Sequence, residues 1–139
     1  MNLKIRLAED KDMAFIHGSW LKSYRNNGMA KDILNEVYFD NHRKIIESLQ
    51  AKGAIYVGHP DGEPDLLMGF VAIDDAKILH YVYVKQTFRK MQVAQTLIKK
   101  FIPDFTVKLT EVTHIPKNAR AAMIKFKLCY NPYYLYKEL

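Results

Sequence analysis

The sequence predicts an α/β or α+β sandwich, one mixed sheet covered by helices, on three observations. Short runs with apolar residues at every second position are interspersed with longer runs in which they return every three or four. Turn-forming clusters separate these runs, Asn26-Asn27-Gly28 and His59-Pro60-Asp61-Gly62-Glu63-Pro64 among them, and no repeat, low-complexity tract or linker intervenes. The 139 residues, 49% hydrophobic, suffice for one packed core but not for two ordinary domains, so residues 1–139 are read as a single domain.

Leu3, Ile5 and Leu7 alternate with Lys4 and Arg6, the period of a half-buried strand. Asp10 or Asp12 is then placed to cap a helix whose Ile16, Trp20 and Tyr24 share a face, and Asn26-Asn27-Gly28 ends it. Asp40 is the expected cap of a second helix, with Ile45, Ile46 and Leu49 as the buried stripe and Gly53 as the C-terminal stop. Residues 54–57 and 66–73 read as two antiparallel strands joined by the 59–64 turn, and 77–84 as the next strand. Val93, Leu97 and Phe101 fall at helical spacing before Pro103. Phe105, Val107 and Leu109 then alternate with Thr106, Lys108 and Thr110 as a further strand. Ala122, Met123, Phe126 and Tyr130 form a last helical stripe stopped by Asn131-Pro132, and 133–139 is read as a closing strand. The expected order is β-α-α-β-β-β-α-β-α-β.

The longest apolar stretch, 66–73, is far below the roughly 20 residues that a membrane span requires. The first residues mix charges of both signs with no apolar block, so no signal peptide is expected. A single cysteine, Cys129, forms no internal disulfide, and both features fit the cytoplasm. The net charge of +6 is unevenly spread. Residues 1–76 carry 9 Lys and Arg against 12 Asp and Glu, whereas 77–139 carry 12 against 3, a net of +9. Such a half suits a polyanion, either a nucleic acid or one small polyphosphorylated cofactor, or is a solvated lysine-rich surface. The histidines lack ligand partners at short spacing and no metal site is expected.

The segment from His80 to Ile98 takes a buried strand through a polar turn directly into a helix. The first amides of that helix have no partner within it and favour negative charge, and Arg89 and Lys90 add full positive charges beside them. This stretch resembles the coenzyme-A motif of the GNAT acetyltransferase superfamily. The likeness rests on Val84, Phe88-Arg89, Val93-Ala94 and Leu97-Ile98, and the turn Arg89-Lys90-Met91-Gln92-Val93-Ala94 departs from the family pattern where Gln92 replaces a glycine. An ordinary helical φ is expected at Gln92, crowding the site. The opening Ile5-Arg6-Leu7-Ala8-Glu9-Asp10, the early helices and the central hairpin follow family order, and Ser19–Arg25, Thr113-His114 and Tyr130-Asn131-Pro132 resemble short phage-encoded members.

The resemblance implies a mixed, mostly antiparallel central sheet flanked by helices, acetyl-CoA as cofactor, and transfer of an acetyl group to a small-molecule or protein amine. Coenzyme contacts are implied for Val82, Tyr83, Val84, Arg89, Lys90, Met91, Gln92, Val93, Ala94 and Gln95. His80 stands where relatives carry an acidic general base, and reads equally as a strand histidine satisfied by a neighbouring carbonyl; His114 is a second candidate base or a substrate contact. Relatives take the general acid from a tyrosine of the last helix. Here Lys125 occupies that position and Tyr130 is the candidate one turn on, while Cys129 reads as a small packing residue. Trp20, Tyr24 and Arg25 on the early helices are the expected acceptor contacts, Trp20 and Tyr24 reading also as core. Two other classes remain open: a degenerate member that binds a partner or CoA without turnover, and a nucleic-acid binder using the basic half. A homodimer is compatible with the fold.

Overall fold

The computed structural model describes residues 2–74, 77–115 and 120–139, with only the backbone described at Arg120 and Ala121. Strands β1 (Leu3–Leu7), β2 (Ile55–Pro60), β3 (Gly69–Ile73), β4 (Leu79–Val84), β5 (Thr110–Val112) and β6 (Leu128–Tyr130) lie in one sheet in sequence order. The first three pairings are antiparallel, and β4–β5 and β5–β6 are parallel. Helices α1 (Met13–Tyr24), α2 (Asn35–Ala51), α3 (Val93–Lys99) and α4 (Arg120–Lys125) complete the expected order, with 3₁₀ turns between them.

Alternation along the strands divides the core into two layers. Ile55, Val57, Phe70, Ala72 and Tyr81 pack with Ile16, Trp20 and Tyr24 of α1 and with Tyr38, Ile45, Ile46 and Leu49 of α2. Val71, Leu79, Val84 and Val112 pack on the opposite side with Val93, Leu97 and Ile98 of α3. Arg6 of β1 grips Asp12 through both nitrogens at 2.7 and 3.0 Å and donates to the carbonyl of Pro64, tying β1 and the start of α1 to the loop before β3. Gly53 ends α2 as expected. At φ 72 it donates to Gln50 O (3.0 Å) while Ala54 donates to Leu49 O (2.9 Å), the paired bonds that close a helix around a left-handed residue.

Four expectations are corrected. Helix α2 starts at Asn35 rather than after Asp40, because Tyr38 and His42 extend its buried stripe by a turn. The alternation at Phe105, Val107 and Leu109 is not a strand: Asp104 O accepts from both Val107 and Lys108, Val107 and Leu109 are exposed, and β5 begins at Thr110. The last helix stops at Lys125 because Lys127 takes φ 53, and Leu128–Tyr130 pair with β5 instead, leaving Cys129 exposed rather than packed. Residues 133–138 belong to a 3₁₀ turn, Pro132–Glu138, and not to a closing strand; its threefold period buries Leu135 and Glu138. Glu138 accepts from Ser48 and pairs with Lys52, pinning this segment to α2 and its C-terminus.

Candidate functional site

The parallel pairing of β4 with β5 consists of one residue pair, Leu79 with Val112. Beyond it, Thr113 donates its N–H to Leu79 O (3.2 Å), and β4 runs on to Val84 while β5 has ended. Lys85 N–H donates to Met68 O (2.9 Å). The alternation of an antiparallel pair therefore turns the main-chain groups of Tyr81 and Tyr83 toward β3 and those of Val82 and Val84 away from it, into the fork. Gly69 permits the close approach on the other side: a Cβ there would lie 2.3 Å from Tyr83 O.

A groove of about 650 Å³ opens at this fork, lined by Ser23, by Tyr81 to Val84, by Phe88, Arg89 and Lys90, and by Gln92 to Gln95. The hydrogen-bond ladder of α3 begins with Thr96 N–H donating to Gln92 O (3.0 Å), so the amides of Val93, Ala94 and Gln95 precede it. Gln92 has φ 61 and ψ 22, which corrects the expectation of a helical φ. The turn keeps a left-handed geometry of the sort glycine adopts most cheaply, without glycine. Lys90 is left-handed too, at φ 68. Arg89 is exposed, yet its Nε donates to Val84 O (2.9 Å) and its guanidinium stands over the Tyr83 ring at 5.6 Å. Met91 is exposed and is not among the groove-lining residues.

Behind the fork lies a smaller cavity of about 190 Å³ between β4, α3, β5 and α4, with Val82, Ala94, Ile98, Phe105 and Phe126 in its apolar wall. It shares Tyr81, Val82, Ala94 and Gln95 with the groove, so the two adjoin. Two buried histidines, His80 and His114, complete its wall. His80 Nδ1 lies 3.0 Å from Thr113 Oγ1 and its Nε2 lies 3.2 Å from Asp74 Oδ2, so both ring nitrogens are engaged. His114 Nδ1 is 2.9 Å from the same hydroxyl, and its Nε2 is 3.0 Å from His42 Nε2. Burial holds all three histidines below their ordinary pKa, His42 at about 4. The carbonyl partner expected for His80 is replaced by a hydroxyl and a carboxylate.

The remaining expected site residues are placed elsewhere. Trp20 and Tyr24 are fully buried; Trp20 stacks on Tyr81 with ring centres 4.8 Å apart, and both are core. Arg25 donates to the carbonyls of Ala30 and Ile33 and to Asn35 Oδ1, clamping the loop between α1 and α2. Tyr130 stands on β6, outside the linings of groove and cavity. Ser23, Tyr81 and Tyr83 bring hydroxyl-bearing side chains to the groove lining; the Tyr81 hydroxyl lies 2.6 Å from Ser23 Oγ, and burial pushes its pKa up. Residue chemistry did not single out Ser23, Tyr81 or Thr113; the strand parity of Tyr81 relative to Val82 was the available signal. Among the described residues, no group of three or more His, Cys, Asp or Glu is arranged to hold a metal, and no helix is long and apolar enough to cross a membrane.

No protein-family model and no curated protein matches this sequence. Solved structures do match in fold. A possible acetyltransferase from Clostridium difficile 630 superposes with a TM-score of 0.57 at 13% identity, over 91% of this chain and 88% of that one. YjaB from Escherichia coli, in its apo form, matches with a TM-score of 0.52 at 16% identity, over 74% of this chain and 66% of that one. The yncA protein from Salmonella typhimurium, solved with its cofactor acetyl-CoA, matches with a TM-score of 0.51 at 18% identity, over 74% and 62%. This chain thus spans slightly less than two thirds of the length of YjaB and yncA. The mixed, mostly antiparallel sheet flanked by helices is the fold of the GNAT acetyltransferases.

Proposed function

We propose that the chain is an acyl-CoA-dependent N-acetyltransferase, transferring an acetyl group from acetyl-CoA to an amine. The observation that carries this reading is the fork itself: a groove between diverging parallel strands, walled by the Val82–Gln95 segment that resembles the coenzyme motif and continuous with an apolar cavity. The residues present fit such a ligand. Arg89 and Lys90 set positive charge beside the unladdered amides of Val93 to Gln95, which suits a diphosphate, and the amide of Val82 faces the fork, which suits an amide-bearing arm. The fold likeness to a structure that holds acetyl-CoA supports the same ligand.

When bound, acetyl-CoA supplies the activated acyl group. The protein supplies position, a main-chain N–H for the carbonyl oxygen at the fork, and a proton donor for the departing sulfur. Tyr81 takes the donor role in place of Tyr130, because burial keeps the phenol protonated and it lines the groove beside Ser23. The left-handed turn at Gln92 favours a working site over a degenerate one, since the backbone holds that conformation despite its cost. Calorimetric titration with acetyl-CoA tests the reading. The wild type is expected to bind and Arg89→Glu to lose binding; no binding by a folded wild type refutes it. A panel of primary amines then identifies the acceptor.

A further inference from the structure

Alternation along β4 gives the groove at the fork two walls. Val82 and Val84 turn to the α3 side, where Val93 to Gln95 complete the groove. Tyr81 and Tyr83 turn to the α1 side, where Ser23 Oγ lies 2.6 Å from the Tyr81 hydroxyl. The coenzyme reading takes the α3 wall with its diphosphate site. The α1 wall is left for the second substrate.

That wall is an aromatic strip ending in a cation. Phe15, two turns before Ser23 on α1, sets its ring edge-on to Tyr83 with centres 6.1 Å apart. Lys85 Nζ stands 4.9 Å from the centre of the Phe15 ring. An aromatic face attracts an ammonium through its electrostatic field and leaves the N–H donors to a ligand. Phe15, Tyr83 and Lys85 are all half-buried, and among the described residues Lys85 forms no ion pair.

Carboxylates are missing from the chain that builds this end of the sheet. Residues 13–31, 77–103 and 112–137 contain no Asp or Glu. Among the described residues, none lines the groove or the adjoining cavity. The carboxylates nearest α1 and β3 in sequence are already paired: Asp12 with Arg6, Glu9 with Arg6 and Lys11, and Asp65 with Lys11. Asp74 is engaged with His80 at the opposite end of β4 from Lys85. An amine with a second positive charge would therefore meet Lys85, Arg89 and Lys90 with no counter-charge in the lining. An amine with a negative tail meets a cation already in place.

We propose that the acceptor is an amine joined through a short apolar body to a carboxylate: the amine sits at the fork beside Ser23, the body lies along Tyr83 and Phe15, and the carboxylate pairs with Lys85. This rests on the acetyltransferase reading. The neutral amine forms a bond to the acyl carbon, the carbon–sulfur bond breaks, and the proton lost by nitrogen goes to the thiolate, giving an amide and a thiol. The carboxylate takes no part in that step. It fixes which end of the substrate reaches the fork, which makes Lys85 a specificity-determining residue. The separation of the two ends follows from the strip, since the carboxylate has to pass the Tyr83 ring before it reaches the ammonium over Phe15.

Three benzylamines with one body and different tails test this: 4-(aminomethyl)benzoate, 4-(aminomethyl)benzamide and 4-(aminomethyl)benzylamine, assayed for acetylation at saturating acetyl-CoA. The expected order of kcat/KM is acid, amide, diamine, with the acid ahead of the amide by about tenfold, as for one charge-assisted hydrogen bond. Lys85→Glu, with its melting temperature checked against wild type, is expected to place the diamine ahead of the acid. Amide or diamine used as well as the acid by wild type, or an unchanged order in folded Lys85→Glu, overturns the proposal. Wild type that binds acetyl-CoA but acetylates none of the three also overturns it and leaves the coenzyme site standing. Wild type that binds no acetyl-CoA overturns the acetyltransferase reading, and the acceptor proposal falls with it.

Discussion

Lowering the pH from 7 to 5 perturbs the histidine cluster without a mutation, and His42 gives the magnitude. Its folded pKa is about 4, lowered by burial from the ordinary 6.5 that applies in the unfolded chain. Below pH 6.5 the unfolded chain therefore binds a proton that the folded chain refuses until about pH 4, so the stability present above 6.5 is lost as pH falls through that window. Integrated between pH 7 and 5, this one group removes about 2 kcal/mol. His80 and His114 are shifted the same way by burial and add to the loss. Glu138 and Asp12 also destabilise on acidification, but their folded values lie below the ordinary 4.5 and 3.8, so they act mainly below pH 5. Urea unfolding at the two pH values is expected to show the midpoint falling at unchanged slope. A loss of less than about 1 kcal/mol would refute the claim that these rings are buried and neutral.

Three substitutions probe the rest of the site. Gln92→Gly relieves a left-handed side-chain residue and is expected to stabilise the fold by about 0.5–1 kcal/mol, read as a rise in Tm, whereas the β-branched Gln92→Val lowers it. Gly69→Ala sets a methyl against Tyr83 O and is expected to cost about 1–3 kcal/mol in chemical denaturation, with acetyl-CoA affinity falling because β4 is displaced. Trp20→Ala separates core from acceptor contact: a loss of about 3–5 kcal/mol of stability marks the core role. Unchanged stability with a raised KM for the amine would instead return Trp20 to the acceptor site.

The parts of the fold legible in the sequence are those in which side-chain period and burial coincide. Helix α1 is such a case, with Ile16, Trp20 and Tyr24 buried on one face, and the Gly53 stop was legible from the left-handed φ that a glycine takes most cheaply. Residues 105–109 have the period without the burial. Only Phe105 is inside, packed on Phe126 with ring centres 5.4 Å apart, and a turn on Asp104 serves one inward side chain as well as a strand would. The C-terminal segment fails for the converse reason: Leu135 and Glu138 are three apart, and Glu138 reads as a surface charge until Ser48 and Lys52 are brought to it. At the groove, the main-chain contributions follow from the motif's place between strand and helix, so their position was legible without any side chain. The histidine chain was not. His42 and His114 are 72 residues apart in sequence, and only the packing of α2 against the fork brings them together.

Placement of charge also weighs between the two kinds of polyanion that a net of +9 over residues 77–139 suits. A nucleic-acid track needs cations free to follow successive phosphates. Four of the twelve basic residues make local contacts: Lys85 stands over Phe15, Lys125 over Phe126 and Lys137 over Tyr134, and Lys127 donates to Val107 O. The cations that line the groove are Arg89 and Lys90, beside the amides of Val93 to Gln95 that precede the α3 ladder. Two charges beside three amides match the oxygens of a single diphosphate, which suits one small ligand held at the fork.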